Sequence, residues 1–376
     1  MESRKRVIKV LLIFSTYGGI GGAEKSLSRM VSSSNKNVNY EIAFFSNKGP
    51  SQEFCLKKGI TPIMLGNKGS IKILGFGIDS LIKLYQIISK YNFDIIYLIG
   101  FRIAILVRVL NKFQKIGKIV VGLRANFNTS TLQDRLFRLS EFLFKDLTDF
   151  YICNSIATQR TINKVIGKNY FQKTNVIYNG IDKLPDQKND YKSRKNLILV
   201  VANLSRRKGH LNFIDVIKKV LKEEKDAKFI FLGRNDIGDT LSEKIMKEKL
   251  SKNIFLLGYK KNLRKYFNQS KCMVLPSIRN EGCPTSIIEA QAHGLPVIAS
   301  KIDGIPELIE DNVDGFLINP LDINNFANKI IYILRNAEIA EEMGHKAREK
   351  IRTKFPIQKC AIKHEIIFKD LIKEEK

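Results

Sequence analysis

The side chains best suited to chemistry in this chain are two carboxylates, Glu281 and Glu289. Glycine and proline interrupt regular structure after Glu281, whereas Ser286 to Gln291 are good helix formers followed by a Gly-x-Pro stop. The pattern predicts a loop, a helix that begins near Thr285, and an apolar strand. The free N–H groups of such a helix favour a phosphate, and carboxylates accept hydrogen bonds from sugar or ribose hydroxyls. The segment therefore suits a phosphorylated, polyhydroxylated ligand.

A second interpretation of this segment requires no ligand. Ser286 and Glu289 have the spacing of a capping box, in which two side chains satisfy the first N–H groups of a helix. Glu281 is then an ordinary solvated acid in a loop. The residues of the segment alone do not decide between these interpretations.

A basic loop follows a second apolar run. It spans residues 203–210 and contains Arg206, Arg207 and Lys208 beside a glycine. At the carboxyl end of a strand these cations would form an anion site, with lysine as a point charge and arginine as a fork for phosphate oxygens. On charge alone, a solvated basic turn is the simpler explanation of the same residues.

A glycine-rich loop lies near the front of the chain, at residues 17–24. Gly21 and Gly22 stand between a predicted strand and a helix predicted from about 23 to 31. Glycine there lets the backbone approach a ligand and presents N–H groups at the start of a helix. The loop matches neither a dinucleotide-binding fingerprint nor a P-loop, and a plain tight turn would also explain it.

Length and composition indicate a folded protein of two ordinary domains. The chain has 376 residues, of which 44% are hydrophobic and 27% charged, and these fractions exclude a disordered chain. Its formal net charge of +27 is compatible with nucleic acid, an anionic membrane surface or anionic substrates as partners. Heavy use of lysine on solvated faces would account for much of the same charge.

Cysteine and histidine usage predicts neither disulfides nor a metal site. The five cysteines are scattered without C-x-x-C spacing, and the four histidines form no ligand-spaced pair. The apolar run 7–14 is short and contains a lysine, which favours a first strand over a signal peptide. The apolar run 101–110 contains two arginines and is far shorter than the roughly 20 residues of a spanning helix. We therefore expect a cytoplasmic protein whose membrane contact, if any, is peripheral.

Apolar runs alternate with longer amphipathic stretches, which is typical of parallel sheets covered by helices. Strands are predicted in two similarly spaced sets: 7–14, 41–46, 94–100, 118–123, 150–154 and 175–178, then 196–202, 228–232, 254–257, 272–275, 296–299 and 315–318. The polar run 183–195 between the sets is the predicted linker. Two doubly wound α/β domains, 1–182 and 196–355, would then face each other across a cleft, with 356–376 as a further helix.

Several short motifs, taken together in order, resemble a known family. They are Gly21-Gly22-Ala23-Glu24, Asn154-Ser155, Val176 to Asp182, Lys208-Gly209, Pro276-Ser277 through Glu281 and Glu289 to Ala299, Gly304 to Ile309, and Gly315-Phe316-Leu317. This set spans nearly the whole chain and resembles the retaining GT-B glycosyltransferases of family 4. The resemblance implies two facing Rossmann-like domains, a nucleotide-sugar donor, and a last helix, 356–376, that crosses back to the first domain.

The resemblance also implies roles for individual residues. Glu281 would touch the donor sugar, Glu289 would bind the ribose, and Lys208 would neutralise the leaving diphosphate. Other donor contacts would come from Gly21, Gly22, Asn203, Cys283, Pro284, Thr285, Ser286 and, near the base, Tyr259. Asn203 stands where many members have an arginine, so Arg206 or Arg207 is expected to supply the second cation.

The expected reaction uses no metal and no cofactor. The chain has no Asp-x-Asp loop of the kind that holds a divalent ion, so fixed cations and the helix N-terminus would stabilise the leaving diphosphate. No histidine occupies the position where some members carry a base in the first domain, and Arg124 and Asn126 become candidates for the acceptor side. The departing phosphate oxygen would then take the proton of the acceptor hydroxyl on the same face, which gives retention.

The acceptor is predicted from charge and from aromatic residues interleaved with cations. Segments 101–118 and 131–150 mix Phe and Leu with Arg and Lys, which suits an anionic leaflet, although core-facing amphipathic helices have the same composition. We expect a hexose-type sugar to be transferred to a saccharide, lipid-linked, in cell-surface polysaccharide synthesis at the inner face of the membrane. A nucleotide-sugar epimerase on the same scaffold and a basic nucleic-acid-binding protein are the alternatives; no nucleic-acid reader module is recognisable.

Overall fold

The chain folds into two compact units, which a computed structural model describes over residues 6–15, 21–47, 49–66, 71–127, 131–185 and 191–373. Unit 1 comprises Met1–Asp182 and Ile357–Lys376, and unit 2 comprises Lys183–Pro356. Each unit has its own parallel sheet and its own apolar core.

Unit 1 contains a seven-stranded parallel sheet. The strands of the unit are β1 Ile8–Phe14, β2 Val38–Phe44, β3 Ile63–Met64, β4 Lys72–Ile73, β5 Phe76–Gly77, β6 Ile95–Ile99, β7 Lys118–Leu123, β8 Phe150–Cys153 and β9 Thr174–Val176. The sheet has the order β3-β2-β1-β6-β7-β8-β9, and β4 and β5 form a separate antiparallel pair. The order reverses direction between β1 and β6, as in a doubly wound fold.

Six helices of unit 1 connect these strands within the described ranges: α1 Gly22–Ser32, α2 Pro50–Lys57, α3 Ile78–Lys90, α4 Phe101–Gln114, α5 Leu132–Leu143 and α6 Ile156–Ile166. Both faces of the sheet are buried. On β1, Val10 and Leu12 belong to one apolar cluster whereas Leu11 and Ile13 belong to another. This double burial explains why the strands appear in the sequence as continuous apolar runs.

Unit 2 contains a six-stranded parallel sheet. Its strands are β10 Leu197–Val201, β11 Lys228–Leu232, β12 Ile254–Leu256, β13 Cys272–Leu275, β14 Val297–Ser300 and β15 Gly315–Ile318. Its α-helices are α7 His210–Glu223, α8 Thr240–Lys247, α9 Arg264–Gln269, α10 Thr285–Ala292, α11 Ile323–Arg335 and α12 Ala337–Lys354. The strand order β12-β11-β10-β13-β14-β15 is the 3-2-1-4-5-6 order of dinucleotide-binding folds.

The last helix, α13 Ile357–Lys373, belongs to unit 1 although it follows unit 2 in sequence. The Ile357 N–H donates to the Ile181 carbonyl at 2.8 Å, where the chain re-enters the unit. Further along α13, Glu365 accepts from the Asn35 N–H at 2.8 Å, and Phe368 is fully buried in the same cluster as Val10. The helix thus completes one face of the unit 1 core.

Short 3-10 turns complete the two units at Lys145–Leu147, Lys168–Lys173, Tyr191–Ser193, Arg206–Lys208 and Ile305–Glu307. The turn at Tyr191 lies inside the predicted linker 183–195. Its ring is 3% exposed and packs in the unit 2 core, and Arg194 donates to the carbonyls of Ser270 and His293. The predicted linker therefore contributes a buried aromatic ring to the unit 2 core.

A buried ion pair joins α4 to α5 in unit 1. Arg108 Nη1 donates to Glu141 Oε1 at 3.1 Å and Nη2 donates to Oε2 at 2.5 Å, and both side chains are 0% exposed. The Tyr151 hydroxyl lies 3.5 Å from the guanidinium. The Glu141 carboxylate raises the pKa of Arg108 above its usual value against the opposing effect of burial. The pair fixes the position of α5 on the unit.

Candidate functional site

The candidate site lies in unit 2 at the point where the strand order reverses. The neighbours β10 and β13 lead into the loops 202–209 and 276–284, which diverge from the carboxyl ends of the two strands. In open α/β sheets this divergence forms the crevice in which ligands bind. The topology therefore brings the basic loop and the Glu281 loop together.

The basic loop forms the 3-10 turn Arg206–Lys208 and enters α7 through Gly209. Gly209 has φ +71°, and a Cβ atom there would lie 1.9 Å from the Pro276 carbonyl oxygen. Only glycine permits both this conformation and this approach. The Ile278 N–H also donates to the Arg207 carbonyl at 2.9 Å, so the two loops are joined by backbone contacts.

Lys208 and Glu281 form an ion pair between these two loops. The side chains are only 12% and 5% exposed, respectively. Ser277 donates to the same Glu281 oxygen at 2.5 Å. Burial lowers the pKa of Lys208, and the adjacent Arg207 charge adds to this effect, whereas the Glu281 carboxylate opposes it. The interpretation of Glu281 as a solvated loop acid is therefore wrong.

A third loop fixes the backbone of Glu281. The Glu281 N–H donates to Asp303 Oδ2 at 3.0 Å, and Asp303 follows β14, the next strand of the sheet. Asn280 and Asp303 have φ values of +60° and +47°, so two non-glycine residues at this contact adopt the left-handed region. Strained backbone of this kind concentrates at functional sites. Sequence reasoning missed Ser277 and Asp303 as site residues, although both follow strands that border the switch point.

The helix α10 begins beside Glu281. Pro284 is its N-cap residue, and no side chain caps the first turn. The capping box between Ser286 and Glu289 is therefore wrong, because Ser286 lies inside the helix instead of at its cap. The first turn, with Thr285 and Ser286, contains no acidic residue, so its N–H groups and the positive end of the helix dipole are compatible with an anion. Cys283 is buried, and Glu289 is half-buried one turn into the helix.

The remaining predicted donor contacts of unit 2 lie on loops at the same edge of the sheet. Asn203 follows β10, and its Oδ1 accepts from the Arg234 N–H at 3.2 Å. Tyr259 follows β12 and is half-buried. Arg206 and Arg207 are both exposed; Arg207 donates to the Asn280 carbonyl at 3.1 Å, which ties it to the Glu281 loop.

His210, at the start of α7, is a buried neighbour of the site that the sequence did not single out. It is 1% exposed, and its ring lies 5.7 Å from that of Phe231. Burial is the main reason that its pKa falls to about 4, and the nearby Lys208 charge contributes. His210 is consequently neutral at pH 7 and adds no competing positive charge beside Lys208.

Four predicted residues belong to unit 1. Gly21 precedes α1, and its N–H donates to Glu24 Oε2 at 2.9 Å, while Gly22 is exposed as the first residue of the helix. The preceding glycines of that loop lie outside the described residues. Arg124 follows β7 and donates to the Ser26 hydroxyl at 3.3 Å and to Asn179 Oδ1. Asn126 is buried, and its Oδ1 accepts from the Thr161 hydroxyl at 2.6 Å.

The arrangement in unit 2 offers side-chain charge and backbone dipoles to a ligand. A half-buried lysine, an uncapped helix N-terminus and a fixed carboxylate converge at the reversal of the sheet. They can hold a phosphorylated group next to a hydroxylated one. No group of three or more metal-binding side chains occurs in the parts of the chain that the structure describes.

Known proteins resemble this chain in both sequence and fold. The profile of the family described as "Glycosyl transferases group 1" matches residues 183–350. A Klebsiella pneumoniae protein, described as an uncharacterized 41.2 kDa protein in the cps region, is 30% identical over 338 residues, which cover 82% of this chain and 89% of that protein. The chain belongs to the glycosyl transferases group 1 family. This membership makes it a glycosyltransferase.

One further sequence relative and one solved structure resemble most of the chain. An Escherichia coli UDP-Gal:alpha-D-GlcNAc-diphosphoundecaprenol alpha-1,3-galactosyltransferase is 26% identical over 310 residues, which cover 78% of this chain and 79% of that enzyme. The crystal structure of Anabaena HepE in complex with UDP and glucose has a TM-score of 0.82 at 19% identity and covers 96% of this chain and 100% of that one. The α/β architecture with parallel sheets and this structural similarity confirm the predicted GT-B fold.

Proposed function

We propose that this glycosyltransferase transfers a hexose-type sugar from a nucleotide-sugar donor to a saccharide acceptor with retention of anomeric configuration. The observation that carries the proposal is the buried Lys208–Glu281 pair, which lies at the switch point of unit 2 beside the start of α10. The E. coli relative is named for a UDP-galactose donor, and HepE was crystallised with UDP and glucose. Both names support a sugar nucleotide as the donor.

The proposed mechanism follows from the positions at which charge develops as the donor's sugar–phosphate bond breaks. Cleavage of a sugar–phosphate bond places negative charge on the diphosphate and positive charge on the anomeric carbon, so the site must stabilise the first without removing the second. Lys208 and the first N–H groups of α10 supply fixed positive charge for the diphosphate, and Arg206 or Arg207 supplies a second cation. Glu281, held by Ser277 and Asp303, accepts hydrogen bonds from the sugar.

We infer that transfer is metal-independent and proceeds on one face of the sugar. The departing phosphate oxygen takes the proton of the acceptor hydroxyl while that hydroxyl oxygen bonds to the anomeric carbon. With UDP-glucose or UDP-galactose as donor, we expect an α-linked product and a rate unchanged by excess EDTA. Product anomeric configuration is read from NMR coupling constants. A β-linked product excludes the same-face route, and loss of activity that Mg²⁺ or Mn²⁺ restores excludes metal independence.

Glu289 is proposed to bind the ribose of the donor. We expect Glu289→Ala to raise KM for the sugar nucleotide roughly 10- to 100-fold with a much smaller effect on kcat. Hydrogen bonds to a charged group contribute about 1.5–3 kcal/mol, and each 1.4 kcal/mol or so is tenfold in affinity. Initial rates over a range of donor concentrations give both constants. Glu243→Ala, an exposed helical glutamate of α8, is the matched control; an equal rise in KM there would remove the specific role of Glu289.

The acceptor is proposed to be a lipid-linked saccharide used in cell-surface polysaccharide synthesis at the inner face of the membrane. The diphosphoundecaprenol acceptor in the name of the E. coli relative and the net charge of +27 support it. The deciding experiment incubates the protein with a panel of UDP- and GDP-sugars, each with and without an undecaprenyl-diphosphate-linked GlcNAc. We expect a glycosylated lipid only when donor and acceptor are both present. Free sugar or a rearranged sugar product that forms without acceptor would instead indicate an epimerase.

A further inference from the structure

Helix α5 of unit 1 presents a row of leucines to solvent. Leu132, Leu136, Leu139 and Leu143 are 73%, 49%, 53% and 61% exposed, respectively. Their spacing of four, three and four residues places them on one face of the helix. Scattered exposed leucines are ordinary in proteins, but a continuous apolar stripe on one helix marks a binding surface.

The opposite face of α5 carries polar groups into the unit. Asp134, Ser140 and Glu141 are buried, with Phe137 as the buried aromatic among them. Glu141 takes part in the buried ion pair with Arg108. The apolar periodicity of this helix is therefore directed away from the core, and the interpretation of segment 131–150 as a core-facing amphipathic helix is wrong for α5. The leucine row needs another apolar environment.

Neighbouring residues enlarge this surface and add positive charge. On α5 itself Phe142 is 52% exposed, and the Lys145 ammonium lies 4.5 Å from the centre of its ring. On α4, which the ion pair joins to α5, Val109 and Phe113 are also exposed, Phe113 to 79%. The set formed by Leu132, Leu136, Leu139, Phe142 and Leu143 is called the leucine face below.

The charged side chains on α4 and on the exposed side of α5 are all positive, although the exposed Asp146 lies in the turn that follows α5. Arg135 and Arg138 flank the stripe on α5, and α4 contains Lys112 but no acidic residue. The two acidic residues of α5 are buried on the other side of the helix. A second copy of the chain packed on this face would bring cations against cations. An anionic leaflet instead offers hydrocarbon for the leucines and phosphate for the arginines and lysines.

We propose that the leucine face of α5 is the surface through which this enzyme docks on an anionic membrane. Helix α5 lies in the plane of the interface, the leucines and Phe142 enter the boundary between headgroups and acyl chains, and the flanking cations contact lipid phosphates. The inference rests on the proposed function in one respect: an enzyme that uses a lipid-linked acceptor must contact the membrane that holds it. No helix in the described part of the chain has the length and apolar content needed to span a bilayer.

The test uses the absence of tryptophan from the chain. Leu139→Trp introduces a single tryptophan reporter on the leucine face, and Leu321→Trp introduces one at a leucine of unit 2 that is 75% exposed. Both proteins are mixed with vesicles of phosphatidylglycerol and phosphatidylcholine or of phosphatidylcholine alone. We expect a blue shift of emission and quenching by brominated lipid only for Leu139→Trp and only with phosphatidylglycerol.

Loss-of-binding variants complete the experiment. The double variant Leu136→Gln/Leu139→Gln should weaken sedimentation with anionic vesicles at least tenfold, whereas Leu56→Gln/Leu321→Gln, two exposed leucines elsewhere, should not. Because all four side chains are exposed, we expect unchanged thermal unfolding. Transfer to a water-soluble short-chain acceptor should also be unchanged, whereas transfer to the same saccharide on a long-chain lipid in vesicles should fall.

Three outcomes would overturn the proposal. Equal binding to neutral and anionic vesicles would mean that the cations do not contribute to docking. Absence of vesicle binding by the unmodified enzyme would mean that the leucine face does not dock on membranes. A dimer in solution that Leu136→Gln/Leu139→Gln converts to monomer would assign the face to self-association. Transfer to the soluble acceptor reports separately on the proposed reaction, so failure of docking and failure of glycosyl transfer are distinguishable.

Discussion

Lys208→Met lowers kcat/KM for glycosyl transfer by about 10²–10³-fold, the loss found when one fixed electrostatic group is removed from a catalytic site. The expected cause is loss of the buried ammonium that meets the diphosphate as it leaves. Methionine keeps much of the length of the side chain and its apolar contacts, so the change removes charge with little change in volume. Initial rates with a sugar nucleotide and a short-chain acceptor measure the effect.

The buried pair complicates a single substitution, because Lys208→Met also leaves Glu281 buried without its cation. A double-mutant cycle with Glu281→Gln separates the loss of the Lys208 charge from the effect of an unpaired Glu281. The cycle measures binding of UDP, because UDP lacks the sugar that Glu281 is proposed to contact. If Lys208 acts on the diphosphate, Lys208→Met lowers UDP affinity by a similar factor in the unmodified enzyme and in the Glu281→Gln variant. Recovery of UDP affinity in the double variant would mean that Lys208 only neutralises Glu281.

Unit 2 offers a matched control for Lys208. Lys350 is 12% exposed like Lys208 and pairs with Asp314, which is 2% exposed at the amino end of β15, away from the edge that carries the site. Burial lowers the pKa of Lys350 as it does that of Lys208. We expect Lys350→Met to lower thermal stability but to leave kcat/KM of the folded enzyme within a factor of two or so. A comparable loss of activity in both variants would trace the Lys208 effect to unfolding.

Glu141→Gln destabilises the enzyme by about 3–5 kcal/mol, as expected when one partner of a fully buried ion pair is removed. The change leaves the Arg108 guanidinium charged and buried beside Tyr151 with no anion from α5. Urea unfolding followed by circular dichroism measures the change, with the transition of unit 1 resolved from that of unit 2. In the Glu141→Gln variant, amide hydrogen exchange should accelerate more in α4 and α5 than in unit 2.

Two comparisons decide whether loss of the Glu141 charge causes the expected destabilisation. The double variant Arg108→Leu/Glu141→Leu should be more stable than Glu141→Gln, because it leaves no unpaired charge in the core. Glu342→Gln breaks an exposed pair with Lys346 on α12, and we expect no measurable change. If Glu141→Gln behaves like Glu342→Gln, the buried pair does not stabilise α5.

The sequence predicts the parallel sheets well, because strands that are buried on both faces are short apolar runs with clear ends. All twelve predicted strands are present within a few residues, and the helix predicted near Thr285 begins at that residue. The three two-residue strands β3, β4 and β5 are not predicted, since two residues carry no periodicity. The meeting of Lys208 and Glu281 also follows from sequence, because both loops leave carboxyl ends of strands.

The contacts that fix the site could not be predicted in the same way. Asp303 accepts from the Glu281 N–H where Asn280 and Asp303 adopt left-handed conformations, which no local pattern specifies. Tyr191 is one aromatic residue in a polar run, and its burial depends on the unit 2 core. For α5, periodicity indicates an apolar face but not its direction, which is set by the long-range pairing of Arg108 with Glu141.

The return of α13 to unit 1 determines the order in which the chain can fold during synthesis. Unit 2 is continuous in sequence, whereas the core of unit 1 includes Ile357, Phe368 and Leu371, which leave the ribosome after all of unit 2. Domains generally fold as units as they emerge. The first half of the chain therefore completes its core only after the second half has been made, and a chaperone that shields the part of the sheet that α13 covers would act during that interval.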